Sequence, residues 1–115
     1  MLQIYGKIDD NILNFLTKSD TIVLESNYDN MMLDYSSYPF YLKRRIKSDT
    51  GHLSNNDTAN ILNNILTNDN TKNVILSHLS LNNNSVNEAT NTITTKLLEN
   101  GIDNFNISFA KESCL

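Results

Sequence analysis

Residues Thr21-Ile22-Val23-Leu24-Glu25 are an aliphatic, largely β-branched run without polar alternation, the pattern of a strand buried on both faces. A second run of this kind, Val74-Ile75-Leu76, follows about fifty residues later. Both end in polar stretches, Ser26-Asn27-Tyr28-Asp29 and Ser77-His78-Leu79-Ser80, that read as loops at strand C-terminal ends. Helical signals surround them. Asp9-Asp10 ahead of Ile12, Leu13, Phe15 and Leu16 predict a short helix over about 9–18. Pro39 is suited to open a helix through Leu42 and Ile46. Ser54 with Asp57, and more cleanly Ser85 with Glu88, form capping-box patterns ahead of apolar stripes at Ala59, Ile61, Leu62, Ile65 and Leu66, and at Val86, Ala89, Ile93, Leu97 and Leu98. Asn68-Asp69-Asn70 reads as a turn, and Gly101 stands where a left-handed helix cap belongs. Phe105, Ile107 and Phe109 alternate with Asn106 and Ser108, the mark of a half-exposed strand. The resulting order of helices and strands is that of an α/β fold with right-handed crossovers.

The chain of 115 residues (13.1 kDa) fits one small domain. Its net charge of −4 and pI near 4.9 argue against a protein that grips nucleic acid through overall charge. One cysteine, Cys114, excludes an internal disulfide framework and a multi-cysteine zinc knuckle, and fits a reducing cytoplasm. No apolar run nears the ~20 residues of a membrane-spanning helix, so no membrane partner is expected. The abundant asparagines read as a coding bias, because they alternate with ordered apolar positions.

Three side chains stand where ligand crevices of open α/β sheets form, at or beside strand C-terminal ends. His78 follows the second buried strand, Glu25 ends the first, and His52 lies just before a helix. A neutral imidazole suits a zinc ligand, and a carboxylate can orient a histidine or shuttle a proton. By spacing alone the two histidines match no compact zinc motif, and each also reads as a satisfied loop residue. Lys43, Arg44 and Arg45, with Lys47, read first as a solvated helix face and second as a phosphate grip. The tyrosines around Pro39 read as a packed lid rather than a base-stacking platform.

Four stretches taken together resemble one family. They are Leu24-Glu25-Ser26-Asn27-Tyr28-Asp29; Tyr38-Pro39-Phe40 with Leu42-Lys43-Arg44-Arg45-Ile46; Gly51-His52-Leu53-Ser54-Asn55; and Leu76-Ser77-His78-Leu79-Ser80 with Asn83-Asn84. Their order and spacing are similar to the C-terminal half of WalJ-type metallo-β-lactamase-fold hydrolases, relatives of the tRNA 3′-processing endonucleases, from about Gly6 to Gly101. The resemblance implies half of an αββα sandwich, a mixed sheet covered by helices on one face, as a single partial domain over 1–115. It implies that His78 is a metal ligand, that His52 assists proton transfer, and that Glu25 is the acidic partner of His52. The intact family carries a dinuclear zinc or manganese centre and acts as a phosphodiesterase or nuclease, and the basic charge of Lys43, Arg44 and Arg45 offers its substrate a phosphate contact.

The chain departs from the family pattern at several places. The His-x-His-x-Asp-His ligand run is absent, Ile4 stands where a bridging aspartate belongs, and Tyr28 replaces a second histidine. The expectation is a hydrolase fragment that is inactive alone. Its sheet would present a bare apolar face to a missing N-terminal half or to a second copy, and the substrate of the intact enzyme would be nucleic acid. The alternative is a non-catalytic, truncated α/β module that self-associates or binds a protein partner.

Overall fold

The computed structural model describes residues 10–48, 51–66 and 72–110, and the backbone of residues 2–4. Asp9, Tyr5, Gly6, the Asn68–Asn70 turn and Cys114 lie outside the described residues. The elements run β1 (Leu2–Ile4), α1 (Asp10–Lys18), β2 (Thr21–Glu25), α2 (Asn30–Asp34), α3 (Phe40–Lys47), α4 (Asn55–Ile65), β3 (Lys72–Ser77), α5 (Val86–Glu99) and β4 (Phe105–Phe109). The strands form one sheet in the order β1-β2-β3-β4, and every pair is parallel. The α/β expectation is met, with one correction: among the described strands the sheet is parallel throughout, not mixed. Each connection contains at least one helix, which returns the chain to the same sheet edge and makes the next strand parallel.

Strand order that follows chain order, with crossovers of one hand, puts all the connecting helices on a single face. The core shows this for α1, α4 and α5. Ile22 and Leu24 of β2, with Val74 and Leu76 of β3, pack in one cluster with Leu16 of α1, Ala59, Leu62 and Ile65 of α4, and Ala89, Ile93 and Leu97 of α5. The register aligns Ile22, Val74 and Ile107 in one row and Leu24, Leu76 and Phe109 in the next. The fold is therefore one sheet with one helical layer, consistent with half of a metallo-β-lactamase sandwich.

The opposite face differs from the bare apolar surface expected of such a half. Its rows read Thr21, Asn73, Asn106 and then Val23, Ile75, Ser108. Asn73, Asn106 and Ser108 are exposed, and the Asn106 side-chain amide donates to Asn73 Oδ1 at 3.2 Å. These polar side chains border the aliphatic Val23 and Ile75 on this face.

Local signals explain most boundaries. At Ser54 both halves of the capping box form: its hydroxyl accepts from Asp57 N–H, and Asp57 carboxylate accepts from Ser54 N–H. Ser85 likewise accepts from Glu88 N–H at the start of α5. That helix ends in a Schellman motif, with Gly101 at φ +77° and Ile102 N–H reaching Leu97 carbonyl. Pro39 is the N-cap of α3, one position earlier than a first-turn proline. The short α2 follows the Ser26–Asp29 loop and carries no signal in the sequence reading; Asp29 caps it by accepting from Met32 N–H.

Candidate functional site

Three loops meet at the C-terminal edge of the sheet. The segment after β2 follows β3, because Ser26 N–H donates to Ser77 carbonyl at 3.0 Å. Asn27 N–H donates to Leu53 carbonyl, and Asn55 N–H to Tyr28 carbonyl, which zips this segment to the approach to α4. Asp29 N–H donates to Asn83 carbonyl and Ser80 N–H to Asn27 carbonyl, which brings in the loop before α5. Beneath these links lies a buried polar network that the sequence reading passed over. Ser26 hydroxyl donates to Asn55 Oδ1 at 2.6 Å, Asn55 amide donates to Asn84 Oδ1, and Asn84 amide donates to Ser26 carbonyl, both at 2.9 Å. Buried amides with mutual partners fix one arrangement, since any other leaves a donor or acceptor unsatisfied in a dry interior.

Glu25, His52 and His78 converge on this framework. The Glu25 side chain is fully buried, while each imidazole is roughly two-fifths exposed. Leu53 N–H donates to Glu25 Oε1 at 2.7 Å. His78 Nδ1 lies 2.7 Å from Oε2, and His52 Nδ1 lies 3.1 and 3.0 Å from the two oxygens. The imidazole centroids are 5.1 Å apart with the rings tilted by 59°. Thr58 hydroxyl donates to the Glu25 carbonyl at 2.6 Å and secures the backbone beneath the carboxylate. One buried carboxylate thus organises both histidines of the chain.

Two backbone features aim the imidazoles. His78 adopts φ +58°, the left-handed region that a non-glycine residue rarely occupies. Its carbonyl accepts from the Asn27 side-chain amide at 2.8 Å, which holds that conformation. His52 follows Gly51, whose hydrogen faces the end of α3. A Cβ there would stand 2.3 Å from Ile46 carbonyl oxygen and 2.5 Å from that of Arg45. Only glycine lets the loop lie this close, and His52 N–H uses the proximity to donate to Ile46 carbonyl at 2.9 Å.

The hydrogen bonds also define the tautomers. A carboxylate only accepts, so each Nδ1 must carry the proton that it donates. In a neutral imidazole this makes Nε2 the lone-pair nitrogen. Histidine ligands of metals commonly have this form, with the second nitrogen donating to a carboxylate. Among the described residues these three are the group of metal-ligand type, with candidate donor atoms within 4.8 Å of one another. The donor chemistry fits a divalent cation held by imidazole nitrogen, with Glu25 as the orienting group behind the imidazoles.

The basic cluster separates into members with different employment. Lys43 Nζ donates to Asp34 carbonyl at 2.8 Å, and Lys47 pairs with the Asp34 carboxylate. Arg44 lies over the Phe40 ring, 5.7 Å from its centroid. Arg45 lines a cavity of about 360 Å³ together with Leu42, Ile46, Gly51 and His52. The aromatics around Pro39 do not form a packed lid: Tyr35 is 84 %, Phe40 74 % and Tyr41 72 % exposed. Tyr28, by contrast, is buried, bridged to Ser54. Burial foremost, and next the negative charge of Asp57, push its phenol up to about 12 against the opposing hydrogen bond from Ser54.

Relatives place this edge of the sheet in context. Over 96 residues, 84 % of its length, the chain is 38 % identical to an exodeoxyribonuclease YycJ of Bacillus anthracis. Over 94 residues, 82 % of its length, it is 37 % identical to an exodeoxyribonuclease WalJ of Streptococcus pneumoniae strains D39 and R6. The chain corresponds to part of a WalJ/YycJ-type protein. It spans about 36 % of the Bacillus relative and 35 % of the streptococcal ones. No protein-family model matches the chain, and no solved structure does. No helix among the described residues is long and apolar enough to cross a membrane. Within this WalJ/YycJ-type segment lie all three residues of the cluster and the aromatic and basic residues of α3.

Proposed function

We propose that the chain forms one wall of the active site of a metal-dependent deoxyribonuclease that works in the cytoplasm. The observation that carries this reading is the shared carboxylate: Glu25 accepts from Nδ1 of both His52 and His78 and so presents both rings through Nε2. The names of the relatives supply the substrate class, DNA phosphodiesters.

In this reading His78 Nε2 is a ligand to zinc or manganese. When bound, such an ion polarises a phosphoryl oxygen and makes hydroxide available at neutral pH. His52 is the proton carrier. Its Nδ1–H stays on Glu25 while Nε2 takes up a proton and delivers it to the departing oxygen. Glu25 stabilises the imidazolium during that cycle and keeps the ring from turning. The left-handed backbone of His78 and the glycine contact at Gly51 hold the two rings in register, so little reorganisation accompanies the transfer. His78 alone leaves a zinc shell short of its usual three protein ligands. The isolated 115-residue chain is therefore expected to be inactive, with the remaining donors supplied by sequence beyond this stretch or by a partner chain.

The test is a chimera in which this chain replaces the matching stretch of the Bacillus anthracis relative. With manganese or zinc it should release nucleotides from DNA. His78→Ala should abolish both metal content and release, whereas His52→Ala should keep the metal and slow release by about 10²–10⁴-fold. Full metal content and full activity in the His78→Ala chimera would overturn the assignment.

A further inference from the structure

Strand β4 is the last of the sheet, and no described strand lies beyond it. The strand at the other edge, β1, has three residues, and an edge so short is its own protection. β4 has five, Phe105-Asn106-Ile107-Ser108-Phe109, with no charge, proline or bulge to blunt it. Its sequence reads nearly the same in both directions. Ile107 is the centre, small polar residues flank it, and a phenylalanine stands at each end. Charge continues the symmetry, with Asp103 four residues before Ile107 and Lys111, outside the described residues, four after. Ala110 N–H donates to Leu76 carbonyl on β3 at 2.9 Å. Backbone groups of alternate residues point to alternate sides of a strand, so Asn106 and Ser108 also turn theirs to β3. Phe105, Ile107 and Phe109 therefore turn their N–H and carbonyl groups to the open edge. Their side chains are partly buried against the helical layer. Beside Phe109 lies a cavity of about 220 Å³ shared with Leu79, Leu81 and Val86, and Leu81 is 86 % exposed.

We propose that two copies of this chain pair through β4, antiparallel about a two-fold axis at Ile107. In this register Ile107 faces the partner's Ile107, and Phe105 faces the partner's Phe109. These are the residues whose backbone groups point outward, so each facing pair exchanges two hydrogen bonds. A shift by one residue would set outward groups against groups already turned to β3. The phenylalanines meet on the helical face, where aromatic cross-strand pairs add to stability, and Asn106 meets the partner's Ser108 on the outer face. Asp103 falls opposite the partner's Lys111. The symmetry of the strand argues for a second copy, since a single two-fold register satisfies backbone, rings and charges together. Leu81 and Val86 extend the apolar surface beside the joined strands. The two helical layers then lie on one side of a continuous sheet, and the two Glu25–His52–His78 clusters open at its opposite ends. Neither copy completes the other's metal shell, so this inference stands apart from the nuclease reading.

The test is sedimentation equilibrium of the full chain from micromolar to near-millimolar concentration, in EDTA and a reducing agent to exclude bridging by metal or by Cys114. A reversible monomer–dimer equilibrium is expected. Asn106 and Ser108 are exposed, so charges placed there probe the register without entering the core. The double variant Asn106→Lys with Ser108→Lys sets lysine opposite lysine at two symmetric positions and should weaken the dimer by about 5- to 30-fold. Asn106→Glu with Ser108→Lys sets glutamate opposite lysine at both and should dimerise at least as tightly as the wild type. Circular dichroism matches the folds of the two variants before sedimentation. In the wild type, amide exchange at Phe105, Ile107 and Phe109 should slow as concentration rises, while that of Ala110, bonded to β3, stays constant. A monomer at every concentration would overturn the proposal. So would a dimer that the lysine pair leaves intact, one that both double variants weaken equally, or amide exchange at Ile107 that ignores concentration. No outcome here depends on a metal or on DNA, so the chimera and this experiment fail separately.

Discussion

Replacing Glu25 by glutamine isolates what the buried carboxylate does. Leu53 N–H needs an acceptor at the Oε1 position, so it holds the amide oxygen there and places the new NH2 where Oε2 stood. That NH2 then faces His78 Nδ1 at 2.7 Å and His52 Nδ1 at 3.0 Å, both donors in the wild type. Donor against donor is untenable, so at least one imidazole must move its proton to Nε2 and accept through Nδ1. Two charge-assisted bonds become neutral ones at best, a loss of about 1–1.5 kcal/mol each. Relief from burying an ionised carboxylate offsets part of this, leaving a net destabilisation of about 1–2 kcal/mol. Urea denaturation reads the stability change, and long-range proton–nitrogen correlation spectra read the tautomers. The expected outcome is a lower midpoint, with at least one ring changed from the Nδ1–H to the Nε2–H form. Unchanged stability with both rings still in the Nδ1–H form would refute the role given to Glu25.

Three further outcomes follow from the same framework. Tyr28 keeps its proton to about pH 12 in the folded chain and loses it near 10 when unfolded, so its contribution is complete below pH 10 and falls as pH rises from 10 to 12. Tyr28→Phe should flatten that alkaline loss in denaturation curves taken at pH 9, 10 and 11, and an unaltered curve would exclude Tyr28 as its source. Gly51→Ala should destabilise by about 1–3 kcal/mol, since the new Cβ meets two backbone carbonyl oxygens that must shift. A thermal melt checks the magnitude, and the His52 ring signals should move with it. Asn84→Ala removes the partner of Asn55 amide and Ser26 carbonyl, and should cost about 2–4 kcal/mol by denaturant titration; a loss below about 0.5 kcal/mol would mean that water replaces the amide.

The strands and most helices were legible because their determinants are local. Ile22-Val23-Leu24 and Val74-Ile75-Leu76 carry strand propensity in their own side chains, and Ser54, Ser85 and Gly101 mark helix ends through bonds to residues three or four positions away. Glu25 and His78 were legible as residues at the ends of strands whose C-terminal edges lie together, whereas His52 stands just before α4. Its wiring was not: nothing local tells that one carboxylate serves both imidazoles across separations of 27 and 53 residues. Asn55 and Asn84 were invisible for a related reason, because a buried amide differs from a solvated one only through partners far along the chain. The bare outer face expected of half a sandwich came from the resemblance, and Asn73, Asn106 and Ser108 interrupt it beside Val23 and Ile75. Helix α2 escaped notice because five residues give too short a period to register, and its cap, Asp29, reads equally as a loop residue.

The account turns on two imidazoles that give Nδ1 to Glu25, which leaves Nε2 of His78 for a cation and Nε2 of His52 for a proton. Titration of the chain with zinc, followed by the nitrogen-15 signals of both imidazoles, addresses this most directly. The expected result is a shift at Nε2 of His78 and of its neighbour His52, while each Nδ1 keeps its proton and its bond to the carboxylate. Metal-induced shifts at Nδ1, or titration to excess zinc with no change in either ring, would contradict it.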